Sequence, residues 1–129
     1  MEKDYSRWHQ KKAVVNDVSA RPFFHEKEIW FCHLGANVGF EEDGKGSDFM
    51  RPVIVYRKFN SIVLWAIPLT RTNKDGKHYF RFTFLKDLDS VAILSQLRLI
   101  DARRLSRKIG VIKSEDYQKL TQKLKELLP

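Results

Sequence analysis

The chain has very little cysteine, with Cys32 as its single example in 129 residues. One cysteine excludes an intrachain disulfide and a zinc site built from several cysteines, and it is typical of a reducing compartment. The sequence also has no apolar run of about 18 residues, the length that spans a bilayer. Its start, Met1–Tyr5, lacks the basic and then apolar segments of a signal peptide. We therefore expect a cytoplasmic protein with no membrane partner.

Acidic residues are few relative to basic ones: 16 Asp and Glu stand against 24 Lys and Arg, which gives a formal net charge of +8. A strongly basic protein favours a polyanionic partner, and nucleic acid is the leading one. Charge alone does not distinguish RNA from DNA or from an acidic protein, and a basic surface also keeps a small protein soluble. With 43% hydrophobic residues, the chain has enough apolar material for one globular domain.

Five segments rich in β-branched or aromatic residues predict strands. They are Glu28–Leu34, Arg51–Tyr56, Ser61–Leu69, Lys77–Phe84 and Ser90–Ile100. Alternation within the first segment places Cys32 and His33 on opposite faces, which excludes a paired cysteine–histidine nucleophile. We therefore interpret Cys32 as a small core residue.

The second half of the last segment has polar side chains on one face. If the strand is continuous, Gln96, Arg98 and Ile100 share that face, and Gln96 and Arg98 can donate to phosphates or base edges. An ion pair between Arg98 and Asp101 is the alternative. His78, at the turn end of the fourth segment, is either a solvent-exposed rim residue or a group that transfers protons.

Helices are predicted at both ends of the chain. Apolar residues near helical spacing predict a short amphipathic helix within Lys3–Val18, ended by Arg21-Pro22, with Phe23 and Phe24 as apolar anchors behind it. A second helix begins with Ser114 as its N-cap and runs to about Leu128. Its apolar stripe consists of Tyr117, Leu120, Leu124 and either Leu127 or Leu128.

Four of the six glycines lie within Gly35–Gly46, which predicts a long loop. The spacing from Gly39 to Lys45 matches a phosphate-binding loop, but Gly46 occupies the place of the Ser or Thr that binds magnesium. The loop also contains three consecutive acids and leads into a strand instead of a helix, so we reject nucleotide binding. A flap over a neighbouring site is the preferred interpretation, with a merely flexible connection as the alternative.

Arg51 and Pro52 stand at the start of the apolar run Val53–Tyr56. Proline is tolerated at the first residue of a strand, and β-branched residues suit a packed sheet. The sequence therefore predicts that Arg51 is held at the beginning of a buried strand, although an ordinary surface cation is the alternative.

Taken in order, these segments resemble the PemK/MazF family of toxin endoribonucleases, over most of Phe24–Leu128. The residues that show the resemblance are Glu28-Ile29-Trp30 before the glycine-rich loop, Arg51-Pro52-Val53-Ile54-Val55, Pro68-Leu69-Thr70, Leu94-Ser95-Gln96-Leu97-Arg98-Leu99-Ile100-Asp101 and Arg103-Arg104-Leu105. Each motif is short, and their order and spacing together are more specific than any one of them.

The resemblance implies a mainly β fold, a small and strongly bent antiparallel barrel of SH3-like type with an N-terminal helical segment and a C-terminal helix. On this basis residues 1–26 form the helical extension and residues 27–129 the barrel with its helix. The implied partners are single-stranded RNA, a cognate antitoxin protein, a second copy of the chain in a homodimer, and operator DNA bound by the toxin–antitoxin complex.

The resemblance also implies a site in which Arg51 and Thr70 are catalytic and no metal or cofactor takes part. The ribose 2′-hydroxyl attacks its own phosphate, Arg51 stabilises the developing charge, and Thr70 positions the substrate. The further residues predicted to contact RNA are Asn37, Lys45, Arg71, His78, Gln96 and Arg98.

The sequence departs from the family pattern where some members have an arginine and an aspartate, because Ile93 and Ser95 occupy those places. The general base is therefore not assigned, and His78 is one hypothesis for it. The alternative function is a noncatalytic nucleic-acid-binding or protein-binding module on the same barrel, and poisoning of another target, such as gyrase, is a third.

Overall fold

The computed structural model describes residues 21–34, 50–85 and 88–129, with Leu88 described by its backbone only. These ranges contain strands β1 Glu28–His33, β2 Met50–Lys58, β3 Val63–Thr70, β4 Tyr79–Leu85, β5 Leu88–Ile93, β6 Arg98–Asp101 and β7 Leu105–Val111, helix α1 Ser114–Lys125, and 3₁₀ helices Leu94–Gln96 and Ala102–Arg104. None of the helices in these ranges has the length and apolar content needed to cross a membrane.

The strands form one antiparallel sheet in the order β4-β5-β3-β2-β1-β7, with β6 paired to β3 outside that path. Strand β3 is the centre of the sheet. Its first edge pairs with β2, and its second edge pairs with β5 at Leu69 and Thr70 and with β6 from Val63 to Ala66. Strand β3 therefore pairs with three other strands, and it is paired on both edges from Leu64 to Ala66.

The predicted continuous strand Ser90–Ile100 is interrupted by the 3₁₀ helix Leu94–Gln96. Between the pairs Leu69–Ala92 and Ala66–Arg98, two residues lie on the β3 side and five on the other side. The three extra residues cannot lie flat against β3, so they coil into the 3₁₀ turn. The prediction that Gln96 shares a strand face with Arg98 and Ile100 was therefore wrong, because Gln96 does not lie in a strand.

The sheet has two faces, each packed on its own apolar cluster. We call the first the helix face, because Ile54, Ile67 and Phe82 on it pack against Leu120 of α1. We call the second the arginine face. It is the side of β2 that has Arg51 and Val53, the side of β3 that has Pro68 and Thr70, and the side of β4 that has Arg81. The buried apolar residues of this face are Phe24, Trp30, Cys32, Leu34, Val53, Val55, Leu64, Ala66, Ile100, Ala102 and Leu105.

Helix α1 covers the helix face through the apolar stripe that the sequence predicts. Leu120 is fully buried, and Tyr117, Leu124 and Leu127 pack against the same cluster. Leu128 is 66% exposed and takes no part. The helix starts one residue earlier than predicted, because Lys113 is the N-cap and Ser114, the predicted cap, is the first helical residue.

The two strands at the ends of the order, β4 and β7, approach each other through Gly110 and Phe84. A Cβ atom added to Gly110 would lie 2.5 Å from Cδ2 of Phe84, so the sheet bends until its ends touch. Among the described strands, β4 and β7 do not pair by hydrogen bonds, and the sheet is therefore open. The predicted mainly β fold with a C-terminal helix is confirmed, whereas a barrel closed by hydrogen bonds is not formed by these strands.

The segment before β1 is extended, and only one of its two predicted apolar anchors is buried. Phe24 is 1% exposed and belongs to the cluster of the arginine face, whereas Phe23 is 92% exposed. Lys58 reinforces this contact, because its Nζ donates to the Phe24 carbonyl at 2.8 Å. The predicted helix within Lys3–Val18 lies outside the described residues, and the division at residue 26 stays a prediction.

Candidate active site

Arg51 is a buried cation in the second position of β2, with 6% of its surface exposed. Its Nη2 donates to the carbonyl oxygen of Leu69 at 2.8 Å. A buried guanidinium is costly unless it is hydrogen-bonded, so this bond stabilises the charge and fixes its direction. Arg51 is therefore held within the sheet, as the sequence predicts, and is not an ordinary surface cation.

Thr70 is the last residue of β3 and is also 6% exposed. Its Oγ1 accepts a hydrogen bond from the backbone N–H of Thr72 at 3.2 Å, which orders the start of the turn after β3. A threonine hydroxyl has one donor hydrogen and two acceptor lone pairs. Within the described residues, the Thr70 hydrogen is used in no hydrogen bond, so the hydroxyl can donate to a ligand.

The sheet brings Arg51 and Thr70 together. Val53 of β2 is paired with Pro68 of β3 in an antiparallel arrangement. Arg51 lies two residues before Val53 and Thr70 two residues after Pro68, so both lie toward the same end of the sheet and on the same face. Arg51 also bonds the carbonyl of the residue directly before Thr70. The two predicted catalytic side chains therefore come from adjacent strands at one end of the sheet.

Next to Thr70 lies a cleft of about 240 Å³ that we call the Arg81 cleft; it is lined by Arg71, Asn73, Arg81, Asp89 and Val91. Val91 of β5 pairs with Thr70 on one side and with Arg81 of β4 on the other, which places the cleft on the arginine face. Arg81 donates from Nη2 to the side-chain oxygen of Asn73 and, at 3.1 Å, to Oδ1 of Asp75. The structure thus brings the predicted Arg71 beside two charged residues that the sequence analysis did not select.

Arg98 lies on the same face as Arg51. It pairs with Ala66, which in turn pairs with Val55, and Val55 belongs to the apolar cluster of the arginine face. Asp101 is on the opposite side of β6 and accepts hydrogen bonds from Arg21 and Arg103, so the alternative that Arg98 serves as the partner of Asp101 is not supported.

Buried Cys32 lies beneath this group of cations, opposite Arg51 in the register of β1 and β2. Burial raises the pKa of its thiol to about 12, against the lowering effect of the positive charges of Arg104 and Arg98. A thiol with this pKa stays protonated at neutral pH and is neither a nucleophile nor a base. Cys32 is a core residue, as its place in the predicted strand indicates.

His78 and Gln96 do not lie with Arg51 and Thr70. His78 is exposed and lines a groove of about 480 Å³ on the helix face, together with Ser95, Leu97 and the C-terminal end of α1. Its backbone carbonyl accepts the N–H of Leu94 at 2.8 Å. Gln96 is in the 3₁₀ helix between β5 and β6. The geometry thus gives no support to His78 as a base acting on the same phosphate as Arg51.

The two positions that depart from the family pattern have different surroundings. Ile93 is 5% exposed at the end of β5, on the face of Thr70 and Arg81. Ser95 is exposed in the 3₁₀ helix and faces the groove of His78. Asn37 and Lys45 lie outside the described residues. In the parts of the chain that the structure describes, no cluster of three or more His, Cys, Asp or Glu side chains is arranged to hold a metal ion.

Glu28 is the most buried carboxylate of the described residues, and it has a structural task. It accepts hydrogen bonds from the Trp30 indole at 2.9 Å and from the His25 backbone N–H at 2.9 Å, and Lys108 lies 3.4 Å away. Burial acts to raise its pKa, but these donors together hold the pKa below its usual range. Glu28 therefore stays charged and fixes the indole in the core.

Arg81 and Asp89 are the site residues that sequence reasoning missed. Alternation correctly places Arg81 on the polar face of the strand that buries Phe80, Phe82 and Phe84. The sequence does not reveal which residues pair between strands. Arg81 pairs with Val91, and Val91 pairs with Thr70, and only these pairings bring the polar face of β4 to the site. The one local signal for Arg81 was the presence of two hydrogen-bond acceptors, Asn73 and Asp75, in the turn before its strand.

Comparison with solved structures identifies the fold. MazF from Deinococcus radiodurans superposes with a TM-score of 0.66 at 17% identity, covering 82% of this chain and 96% of that chain. An endoribonuclease in complex with its cognate antitoxin from Mycobacterial species gives 0.64 at 15% identity, covering 83% and 98%. Mycobacterium tuberculosis toxin MazF-mt6 gives 0.59 at 17% identity, covering 77% and 93%. At these identities the likeness shows the fold alone.

The family follows from the sequence match. A search of curated protein sequences returned no match. The family model described as the PemK-like, MazF-like toxin of type II toxin–antitoxin systems matches residues 25–128. Since that match spans most of the chain, the protein belongs to the family of PemK-like, MazF-like toxins.

Proposed function

We propose that this toxin is an endoribonuclease that cleaves single-stranded RNA without a metal ion, at a site formed by Arg51 and Thr70. The observation that supports the proposal is the buried guanidinium of Arg51, fixed by its 2.8 Å bond to the Leu69 carbonyl beside the Thr70 hydroxyl. Membership of the toxin family and the solved endoribonuclease of the same fold support it further.

The proposed reaction is attack of a ribose 2′-hydroxyl on the adjacent phosphate. The 2′-oxygen–phosphorus bond forms and the bond from phosphorus to the 5′-oxygen breaks, which leaves a 2′,3′-cyclic phosphate and a 5′-hydroxyl. Negative charge grows on the phosphate oxygens in the transition state, and Arg51 is placed to stabilise it. The low exposure of Arg51 strengthens this interaction, since electrostatic attraction is larger away from water. Thr70 donates to a phosphate oxygen and aligns the substrate.

Proton transfer is assigned to solvent. The places where some family members have an arginine and an aspartate are filled by Ile93 and Ser95, whose side chains do not take up a proton at neutral pH. Water or hydroxide accepts the 2′-hydroxyl proton, and the departing 5′-oxygen takes a proton from solvent. The rate acceleration then comes from alignment of the 2′-hydroxyl with the phosphate and from stabilisation of the transition-state charge.

The surrounding arginines bind the RNA backbone. Arg71 lies directly after Thr70, and Arg98 is on the same face, so the strand is held on both sides of the scissile phosphate. A single strand is favoured as the substrate because its bases are exposed for contact.

The test is cleavage of a labelled single-stranded RNA, with DNA of the same sequence beside it, in the presence of a chelator. We expect the wild type to cut only the RNA and to leave a cyclic phosphate. We expect Arg51→Ala and the volume-conserving Arg51→Met to lower the rate by about 10²- to 10³-fold, the usual cost of removing one such charge-stabilising donor. The matched control is Arg57→Ala in the same strand, since Arg57 is exposed and paired with Trp65 away from the site.

Thermal unfolding of each variant separates loss of chemistry from loss of folding. Cleavage that requires a divalent metal would contradict metal independence, and full activity in a folded Arg51→Met would remove Arg51 from the mechanism. RNA that is bound by the wild type but never cut would favour the alternative, a noncatalytic nucleic-acid-binding module.

The same proposal includes the partners. We expect the chain to act in the cytoplasm as a homodimer, to be inhibited by a cognate antitoxin, and to bind operator DNA in the toxin–antitoxin complex. Solved relatives of the same fold include a complex of an endoribonuclease with its antitoxin and a MazE–MazF structure from Deinococcus radiodurans. Growth arrest on expression, relieved by co-expression of the antitoxin, checks the inhibitory partner.

A further inference from the structure

We propose that the Arg81 cleft is a base-binding subsite and that it selects guanine through Asp89. The inference rests on the proposed function, because it needs single-stranded RNA across Arg51 and Thr70. It adds the identity of the recognised base and the residue that determines it.

The cleft lies where a neighbouring nucleotide reaches. Its floor is Val91, which pairs with Thr70 and with Arg81 on its two sides. Adjacent strands are about 4.8 Å apart, so Arg81 lies roughly two strand spacings from Thr70. An RNA whose scissile phosphate contacts Thr70 therefore places the next base over a cleft of about 240 Å³.

The lining of the cleft has charges of both signs. The negative charge is Asp89, and the hydroxyl of Thr83 donates to its Oδ1 at 3.1 Å and orients the carboxylate. Arg71 and Arg81 supply the positive charges. Asn73 and Asp75 hold Nη2 of Arg81, and within the described residues its Nε and Nη1 donate no hydrogen bond. Asp89 and Arg81 are thus oriented by their neighbours, and both keep unused hydrogen-bonding capacity.

This pattern of donors and acceptors matches guanine among the four RNA bases. Guanine has two adjacent donors, N1–H and N2–H, which a carboxylate accepts together, and two adjacent acceptors, O6 and N7, to which an arginine donates. Adenine, cytosine and uracil lack the adjacent pair of donors, so none of them can donate to both oxygens of Asp89 at once. A phosphate is disfavoured next to Asp89 because the carboxylate repels it, and the backbone contact falls to Arg71 at the rim.

The experiment compares the binding of RNA probes whose central bases differ by one chemical group. The probes are oligouridine heptamers with one central guanine, inosine or adenine, made entirely of 2′-O-methyl nucleotides so that no 2′-hydroxyl is available for attack. Inosine is guanine without the N2 amino group. We expect the wild type to bind the guanine probe about ten- to a hundredfold more tightly than the inosine probe, the worth of a hydrogen bond to a charged acceptor. We expect the difference to vanish in Asp89→Asn.

Glu115→Gln is the matched control, because it removes the same charge from the exposed first turn of α1, and it is expected to keep the guanine preference. Equal binding of guanine and inosine by the wild type would overturn the inference, as would an unchanged preference in a folded Asp89→Asn. These outcomes are independent of the cleavage assay. A protein that cuts RNA without preferring guanine refutes the subsite alone, whereas a guanine preference without cleavage refutes the proposed nuclease alone.

Discussion

Asp101 illustrates how a residue in a recognisable sequence pattern can have a purely structural task. Its carboxylate accepts from Nε and Nη2 of Arg21, at 3.1 and 3.0 Å, and from the backbone N–H of Arg103 at 2.8 Å. The last bond caps the 3₁₀ helix Ala102–Arg104. Burial acts to raise the pKa of Asp101, but the hydrogen bonds from Arg21 and Arg103 lower it to about 2. Asp101 thus ties the segment before β1 to the sheet.

This shift predicts how stability depends on pH. The ordinary pKa of the group, 3.8, lies above its folded value of about 2. The stabilisation is therefore fully present above about pH 4 and is lost as the pH falls toward 2. We expect Asp101→Asn to lower the free energy of unfolding by about 1 kcal/mol at neutral pH, because the amide oxygen still caps the 3₁₀ helix but the charge that pairs with the partly exposed Arg21 and Arg103 is lost.

Urea unfolding of the wild type and of Asp101→Asn, from pH 7 to pH 2, provides the measurement. The two curves of stability against pH should converge between pH 4 and pH 2. A constant difference across this range would show that the carboxylate is not charged and bonded as described. Asp116→Asn, in the first turn of α1, serves as a comparison of the same chemistry elsewhere.

At the scale of the elements, Gly110 sets how closely β7 approaches β4. A Cβ at this position would lie 2.5 and 2.9 Å from Cδ2 and Cε2 of the Phe84 ring, far inside normal contact. We expect Gly110→Ala to lower the free energy of unfolding by about 1–3 kcal/mol through overpacking. The change in melting temperature or urea midpoint gives the measurement.

The same substitution in a Phe84→Leu background is the control for this prediction. If the ring is the cause, part of the cost of Gly110→Ala disappears there, and the double-mutant cycle gives a coupling energy of about 0.5 kcal/mol or more. Additive effects would mean that the alanine acts through the backbone of β7 and not through the contact with β4.

The elements also show what sequence patterns predict and what they miss. Alternation and β-branched runs identify β1 to β4, because those signals lie within each strand. The break at Leu94–Gln96 has no local signal. It arises from three extra residues opposite β3, which only the register reveals. The same limit explains why Arg51 and Thr70 were predicted only through a resemblance, whereas Arg81 and Asp89, which the pairing of β3, β5 and β4 brings beside Thr70, were not predicted.

At the scale of the whole molecule, the net charge of +8 is partly gathered on one face. Arg51, Arg81 and Arg98 lie there, with Arg71 at the rim of the cleft. The C-terminal helix, in contrast, has acidic residues in its first turn and basic residues in its last. This asymmetry favours approach of a polyanion to the arginine face.

The asymmetry predicts the salt dependence of RNA binding. For single strands, the slope of log K against log salt is about −0.7 for each phosphate neutralised. We expect Arg71→Ala to make the slope about 0.7 less negative, and Lys119→Ala, on the exposed side of α1, to leave it unchanged. Binding titrations of an uncleavable RNA from 50 to 300 mM salt, roughly the range in which counterion release dominates, measure both slopes. Equal slopes in all three proteins would place the RNA elsewhere.

The central position of β3 has a consequence for when the candidate site forms during synthesis of the chain. Thr70 needs Val91 as its neighbour, and the other half of the same edge needs the strand that ends at Asp101. A nascent chain that has left the ribosome as far as Thr70 still lacks the strands that hold Arg51 and Thr70 in place. The ribosome must therefore deliver most of the polypeptide before these side chains acquire their fixed geometry, so under the proposed function a messenger is translated nearly to its end before its product can cut RNA.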